Sequence, residues 1–170
     1  MAQHTRRLSR LERIASRFTS VADVLLAVRV MGWALVLPGL KRVVPVKSLA
    51  AVMHRNAGTT ARSAEREERI VTFSRWAARL VRWKSGGNCL ERGLIAYRYL
   101  GHAGADPVLI VGLDQDGPGA LVGHAWVLVD GQAVGESPSA LERYTPVFAF
   151  APDGSLTDVP PGVRRGTVGA

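Results

Sequence analysis

The feature that most constrains this chain is a change of apolar period near residue 86. Ahead of it, apolar residues recur at helical spacing. Leu8, Leu11, Ile14, Phe18, Val21, Val24, Leu25 and Val28 do so within residues 8–36, and Ile70, Phe73, Ala77, Leu80 and Val81 within residues 61–83. Each set follows one face of a 3.6-residue repeat. Beyond residue 86 one more helical stretch follows, residues 89–101, and then the pattern becomes short apolar runs between turn residues. Those runs are 107–113 (PVLIVGL), 123–129 (GHAWVLV), 132–136 and 147–151. Asp130-Gly131 between two of them is a strong two-residue hairpin signal. Helices followed by strands predict an α+β fold, with N-terminal helices packed on a small antiparallel sheet.

Punctuation refines the reading. The first helical stretch is expected to break near Thr19 and Ser20 and to end at Pro38 and Gly39. Pro45 opens a short helix over 46–54, and residues 56–60 form a loop. The helix over 61–83 places Glu65, Glu67 and Glu68 at its start and Arg79, Arg82 and Lys84 at its end, in the order its dipole favours. Ser85-Gly86-Gly87 is a break, and Asn88 is the expected N-cap of the next helix. Three regions result: a basic helical region 1–60, a core 61–160 and a flexible tail 161–170.

A chain of 170 residues with 47% hydrophobic and 21% charged residues is long enough for one packed domain. Its single cysteine excludes an internal disulfide and suits a reducing, cytoplasmic setting. Arg6, Arg7, Arg10, Arg13 and Arg17 precede an apolar stretch, as in a secretion signal, but Arg29 interrupts that stretch and no small-residue cleavage site follows. Asp23 and Arg29 also argue against a spanning helix over 21–40; an interfacial or core-packed helix fits better, and Trp33 suits either. Charge is uneven: residues 1–85 hold 17 Lys+Arg against 5 Asp+Glu, and residues 86–170 hold 5 against 9. A basic half attracts anions, whether nucleic acid, a membrane surface or an acidic peptide, or else merely solvates helix faces. No nucleic-acid partner is assigned; contact with a membrane surface is left open.

The chemistry resides in a helix-borne cysteine, a strand-borne histidine and an acid beyond a hairpin. Cys89 falls at the first position of its helix, where the dipole and unpaired N–H groups favour a thiolate and can help hold an oxyanion. Gly86 and Gly87 would let a peptide backbone approach. His124 is the natural base, and a base works best when a third group fixes its tautomer. If Val129 pairs with Gln132 across the turn, His124 faces about Ser137. Glu136 then lies level with the imidazole, though nominally on the other face, whereas Asp130 lies roughly 20 Å away along an extended strand. Glu136 is therefore preferred over Asp130, with a bulge or strand end needed to turn it. Arg92, one turn past Cys89, either guides a substrate carboxylate or pairs with an acid of the C-terminal half. Trp126 is a groove wall or, more commonly for a strand aromatic, core. His4, His54 and His102 lack metal-ligand spacing, and neither a metal nor a cofactor is expected. The blander alternative is that Cys89 is a small buried hydrophobe and His124 structural.

The segment NCLERGLIAYRYLGHAGADPVLIVGL, followed by GHAWVLVDGQAVGE, resembles the leader peptidases of lasso-peptide biosynthesis, a transglutaminase-like cysteine protease family. Cys89, Leu90, Arg92 and Leu94 match its first block, Leu109, Ile110, Gly112 and Leu113 its strand, and His124, Ala125, Trp126 and Val127 its last block. The match covers residues 88–136, less than a third of the chain. The resemblance implies a papain-like α+β fold and a Cys89–His124–acid triad. The family's acid, commonly Asp, falls on Glu136, and Gly93 stands where Ser is frequent. Asn88, Gly87, Arg92 and Trp126 are then candidate substrate contacts. The resemblance further implies a ribosomally made precursor peptide as substrate, a separate leader-recognition protein, and an ATP-dependent macrolactam synthetase acting next. Two rivals remain: acyl transfer to an amine by the same triad, and a non-catalytic domain binding a peptide or an anionic surface.

Overall fold

Ser20 starts the first described helix by a reciprocal cap. Its Oγ accepts from the Asp23 N–H at 3.2 Å, and the Asp23 carboxylate accepts from the Ser20 N–H at 3.0 Å. In the computed structural model the described residues are 20–54, 61–81, 88–114, 122–161 and 163. Helix α1 runs Val21–Leu40, α2 Val46–Met53, α3 Ala64–Leu80 and α4 Cys89–His102. Strands β1 (Val108–Asp114), β2 (Val122–Val129) and β3 (Gln132–Ala133) follow, then a four-residue helix α5 (Pro138–Leu141), β4 (Tyr144–Phe150) and β5 (Leu156–Thr157). The predicted helical positions 8–19, the loop 56–60 and the break at 85–87 lie outside the described residues. Helix α1 continues past the expected stop at Pro38 because that residue sits in the last turn, which the Lys41 N–H closes onto Leu37 O at 2.9 Å.

The five strands form one antiparallel sheet in the order β3-β2-β1-β4-β5. The hairpin pairs Val129 with Gln132, as its turn predicts, and Asp130 (φ 52) and Gly131 (φ 76) take the left-handed backbone such a turn needs. The third strand is shorter than its expected span of 132–136. Gly135 at φ 72 swings the chain out of the ladder after Ala133. The fourth begins at Tyr144 rather than 147, where Arg143 donates to Asp114 Oδ2 at 2.8 Å and ties it to β1.

Helix α4 is the centre of the packing. Leu94, Ile95, Tyr97 and Leu100 are at most 1% exposed, and burying each apolar side chain of this size contributes about 1.5–3 kcal/mol. They meet Leu109, Val127, Val129 and Phe150 of the sheet and Val30, Leu37, Leu49 and Ile70 of the other helices in one cluster. Gly93 lets α4 lie against the sheet: a Cβ there would stand 3.2 Å from Leu109 Cδ1 and 3.6 Å from Ala125 Cβ. The other sheet face buries Ile110, Trp126, Leu128 and Ala149, with Leu141 and Val159 packed against them. By length and composition α1 could cross a membrane. Here it is held in the domain by buried Val30 and Leu37 and by Asp23, whose carboxylate takes Arg69 at 2.8 Å.

Candidate active site

Cys89 is the first residue of α4, and its thiol donates to the carbonyl of Gly123 at 3.6 Å. The tip of the helix therefore abuts the start of β2, one residue before His124. Asn88 occupies the cap position but does not cap. Its Nδ2 donates instead to Ala78 O near the end of α3. That corrects the expected N-cap, and among the described residues the start of α4 has no side-chain cap.

His124 pairs with Gly112 across β1, and its Nε2 lies 3.7 Å from Glu136 Oε1. This is an ion-pair separation rather than a hydrogen bond. The two side chains are 18% and 17% exposed. Strict alternation would have turned Glu136 to the opposite face. The strand end supplies the needed turn: after the Val134 N–H bonds Val127 O at 3.0 Å, Gly135 takes φ 72 and Glu136 swings toward the imidazole. Gly135 has no substitute here, since a Cβ would stand 2.6 Å from Val71 Cγ1 of α3.

Arg92 donates to Glu136 Oε1, so one carboxylate oxygen faces both a guanidinium and an imidazole. Of the two sequence expectations for Arg92, the pairing with a C-terminal acid is the one observed. Burial pushes the imidazole of His124 below its usual 6.5. Glu136 opposes that shift, while Arg92 and Arg143 add to it. That direction favours the neutral imidazole, the form able to accept a proton. Arg92→Gln removes a cation that disfavours imidazolium and releases Glu136 to His124, so the His124 pKa rises. Titration of the histidine Cε1–H resonances by NMR reads this directly, and an unchanged or lower value contradicts it.

A second layer holds the imidazole from behind. Tyr144 of β4 stacks on it with ring centroids 4.7 Å apart and planes at 18°, and Trp126 lies 6.0 Å away. Trp126 is 3% exposed and belongs to the core, the commoner of its two expected roles. Gly112 makes room for it, because a Cβ there would come within 2.9 Å of the indole. Arg143 lies over the Tyr144 ring at 5.3 Å while bound to Asp114.

With this geometry in hand, the comparison with known families is decisive for kinship. A family model described as the transglutaminase-like superfamily matches residues 27–149, from within α1 to the penultimate residue of β4. The chain belongs to the transglutaminase-like superfamily. No curated protein and no solved structure gave a match. The superfamily includes cysteine peptidases and acyltransferases and is generally catalytic.

Within this transglutaminase-like domain the remaining candidates separate. Asp130 is turned away at the hairpin tip, where it binds Arg62 at 2.5 Å with 67% of its side chain exposed. Gly87 lies outside the described residues. Among the described residues no cluster of three or more His, Cys, Asp or Glu has metal-binding geometry. Sequence reasoning missed Tyr144 and Gly135. The first is a residue of a distant strand with no local signal. The second carried a readable one, a glycine one residue before the candidate acid.

Proposed function

We propose that this transglutaminase-like protein is a cysteine peptidase that removes the leader from a ribosomally synthesised precursor peptide. One observation carries the reading: the thiol at the tip of α4 lies against the carbonyl preceding His124, while Nε2 of that histidine faces Glu136. With Nε2 turned to the carboxylate, Nδ1 is left for exchange with the sulfur, which at rest is hydrogen-bonded to Gly123 O and not to the imidazole. In the reaction the Cys89 thiol leaves Gly123 O and loses its proton to His124 Nδ1. The thiolate then attacks the scissile carbonyl carbon. The oxyanion is held by the Cys89 backbone N–H at the uncapped helix start. Collapse breaks the C–N bond, and His124 gives its proton to the leaving amine. Water, deprotonated by His124, then hydrolyses the thioester and restores the thiol. Glu136 stabilises the imidazolium formed in each half.

The substrate class follows from the resemblance of residues 88–136 to lasso-peptide leader peptidases. On that reading a separate leader-recognition protein presents the precursor, and an ATP-dependent macrolactam synthetase consumes the freed amine. The lone thiol suits the cytoplasm. The test combines this chain with a short precursor peptide and a leader-recognition protein, both to be sought in the neighbouring reading frames, and reads the products by mass spectrometry. Hydrolysis yields a leader acid and a core amine. Capture of the leader as an amide when a primary amine is added would assign acyl transfer instead. Glu136→Gln is expected to slow cleavage about 10²-fold or more, and Asp130→Asn to leave it within about twofold. The reverse order would move the third triad role to Asp130.

A further inference from the structure

Helix α1 presents an apolar stripe to solvent. Val21, Leu25, Val28, Leu35 and Val36 are 77%, 49%, 63%, 61% and 55% exposed. They recur at helical spacing, and Gly32 and Gly39 on the same stripe have nothing within 4 Å of where a Cβ would stand. Val43, just beyond the helix, is 78% exposed. A single exposed valine is ordinary, but a stripe along a helix of about 30 Å marks an interaction surface.

The charge around the stripe names the partner. Arg42 and Lys47 follow it and are exposed, Arg29 lies beside it, and Arg6, Arg7, Arg10, Arg13 and Arg17 precede it in sequence, whereas the Lys41 ammonium is taken up by buried Glu91 at 2.5 Å. A second copy of the chain would bring together two halves of 17 Lys+Arg against 5 Asp+Glu each, which repel. An anionic bilayer satisfies both the apolar stripe and the cations. Next to the stripe lies a cleft of about 590 Å³ lined by Arg29, Trp33, Arg98, Tyr99 and His102, with the Arg98 guanidinium 5.0 Å over the Trp33 ring. Cations beside an indole suit the headgroup layer.

We propose that α1 is an interfacial anchor. Its apolar stripe enters the headgroup–acyl boundary of an anionic membrane, and the Arg29–Trp33–Arg98 cleft receives a lipid phosphate. The opposite side of α1 stays in the core through Val30, Leu37 and the Asp23–Arg69 pair, so the helix lies on the bilayer rather than across it. The cleft borders the C-terminal half of α4, and Cys89 starts that helix, so docking leaves the thiol free.

The test is co-sedimentation of the full chain with vesicles of mixed phosphatidylglycerol and phosphatidylcholine, against vesicles of phosphatidylcholine alone. Binding is expected only with the anionic lipid and should weaken as salt rises. The double variant Val28→Glu/Leu35→Glu should lower the partition coefficient about tenfold or more, and Arg29→Gln about fivefold. All three positions are exposed, and circular dichroism confirms the fold of each variant. Equal binding by the double variant, or no binding to anionic vesicles at low salt, overturns the proposal. So does a dimer in light scattering that the double variant splits, which would give the stripe to a second copy. No substrate enters the assay, so it stands apart from the peptidase reading.

Discussion

Cys89→Ala is expected to abolish leader removal, with a rate loss of about 10⁴-fold or more, while the domain stays folded. The thiol is half-buried, and among the described residues its one hydrogen bond is the 3.6 Å contact to Gly123 O, so truncation should change stability by less than about 1 kcal/mol. No other residue can replace it, since the chain has a single cysteine. His124→Ala should lose a comparable factor. The double variant should lose little more, because nucleophile and base act as one unit. Cleavage rates by mass spectrometry with thermal unfolding as the control decide this. Residual cleavage by Cys89→Ala within about tenfold of the unaltered chain would end the nucleophile assignment.

Gly135→Ala should lower stability by about 2–4 kcal/mol, of which about 1–2 reflects a side chain forced to a left-handed φ and the rest crowding against Val71. Both causes are local and visible: φ is 72, and the new Cβ would stand 2.6 Å from Val71 Cγ1. The shift that relieves the clash moves Glu136, the next residue, off its 3.7 Å approach to His124, so cleavage should fall together with stability. Adding Val71→Ala removes the crowding but not the dihedral strain, and so should restore only part of the loss. Urea denaturation measures both variants. A change below about 0.5 kcal/mol for Gly135→Ala would show that the turn at the end of β3 is not held as described.

What could be read from the residues was local. The Asp130-Gly131 turn set the register of β2 and β3, and that register put Glu136 rather than Asp130 level with His124. The Gly-Gly-Asn-Cys sequence ahead of a helical period placed the thiol at a helix start. What could not be read came from contacts distant in sequence. Glu136 turns toward His124 at a glycine whose space is bounded by Val71, far upstream on α3. Tyr144 reaches the imidazole because β4 pairs with β1 and not with the strand that carries the histidine. Asn88 has the residue type of a cap, yet its amide goes to Ala78 O, a partner that appears only once α3 and α4 are packed. The apolar length of 21–40 was plain, but it did not say which side entered the core; that side carries Val30, Ala34 and Leu37 together with Asp23, whose partner Arg69 lies 46 residues on.

The absent side chain at Gly93 has a bearing on reactivity as well as on packing. Nucleophile and base ride on separate bodies, one on a helix and one on a sheet, and the distance between those bodies is gauged by whatever stands at this crossing. A methyl group there would meet Leu109 Cδ1 at 3.2 Å and Ala125 Cβ at 3.6 Å, and Ala125 is the immediate neighbour of the histidine. A position four residues along the helix from the sulfur thus works as a shim. Its thickness is transmitted to the spacing of two groups it never touches, and evolution could retune the gap there without altering either of them.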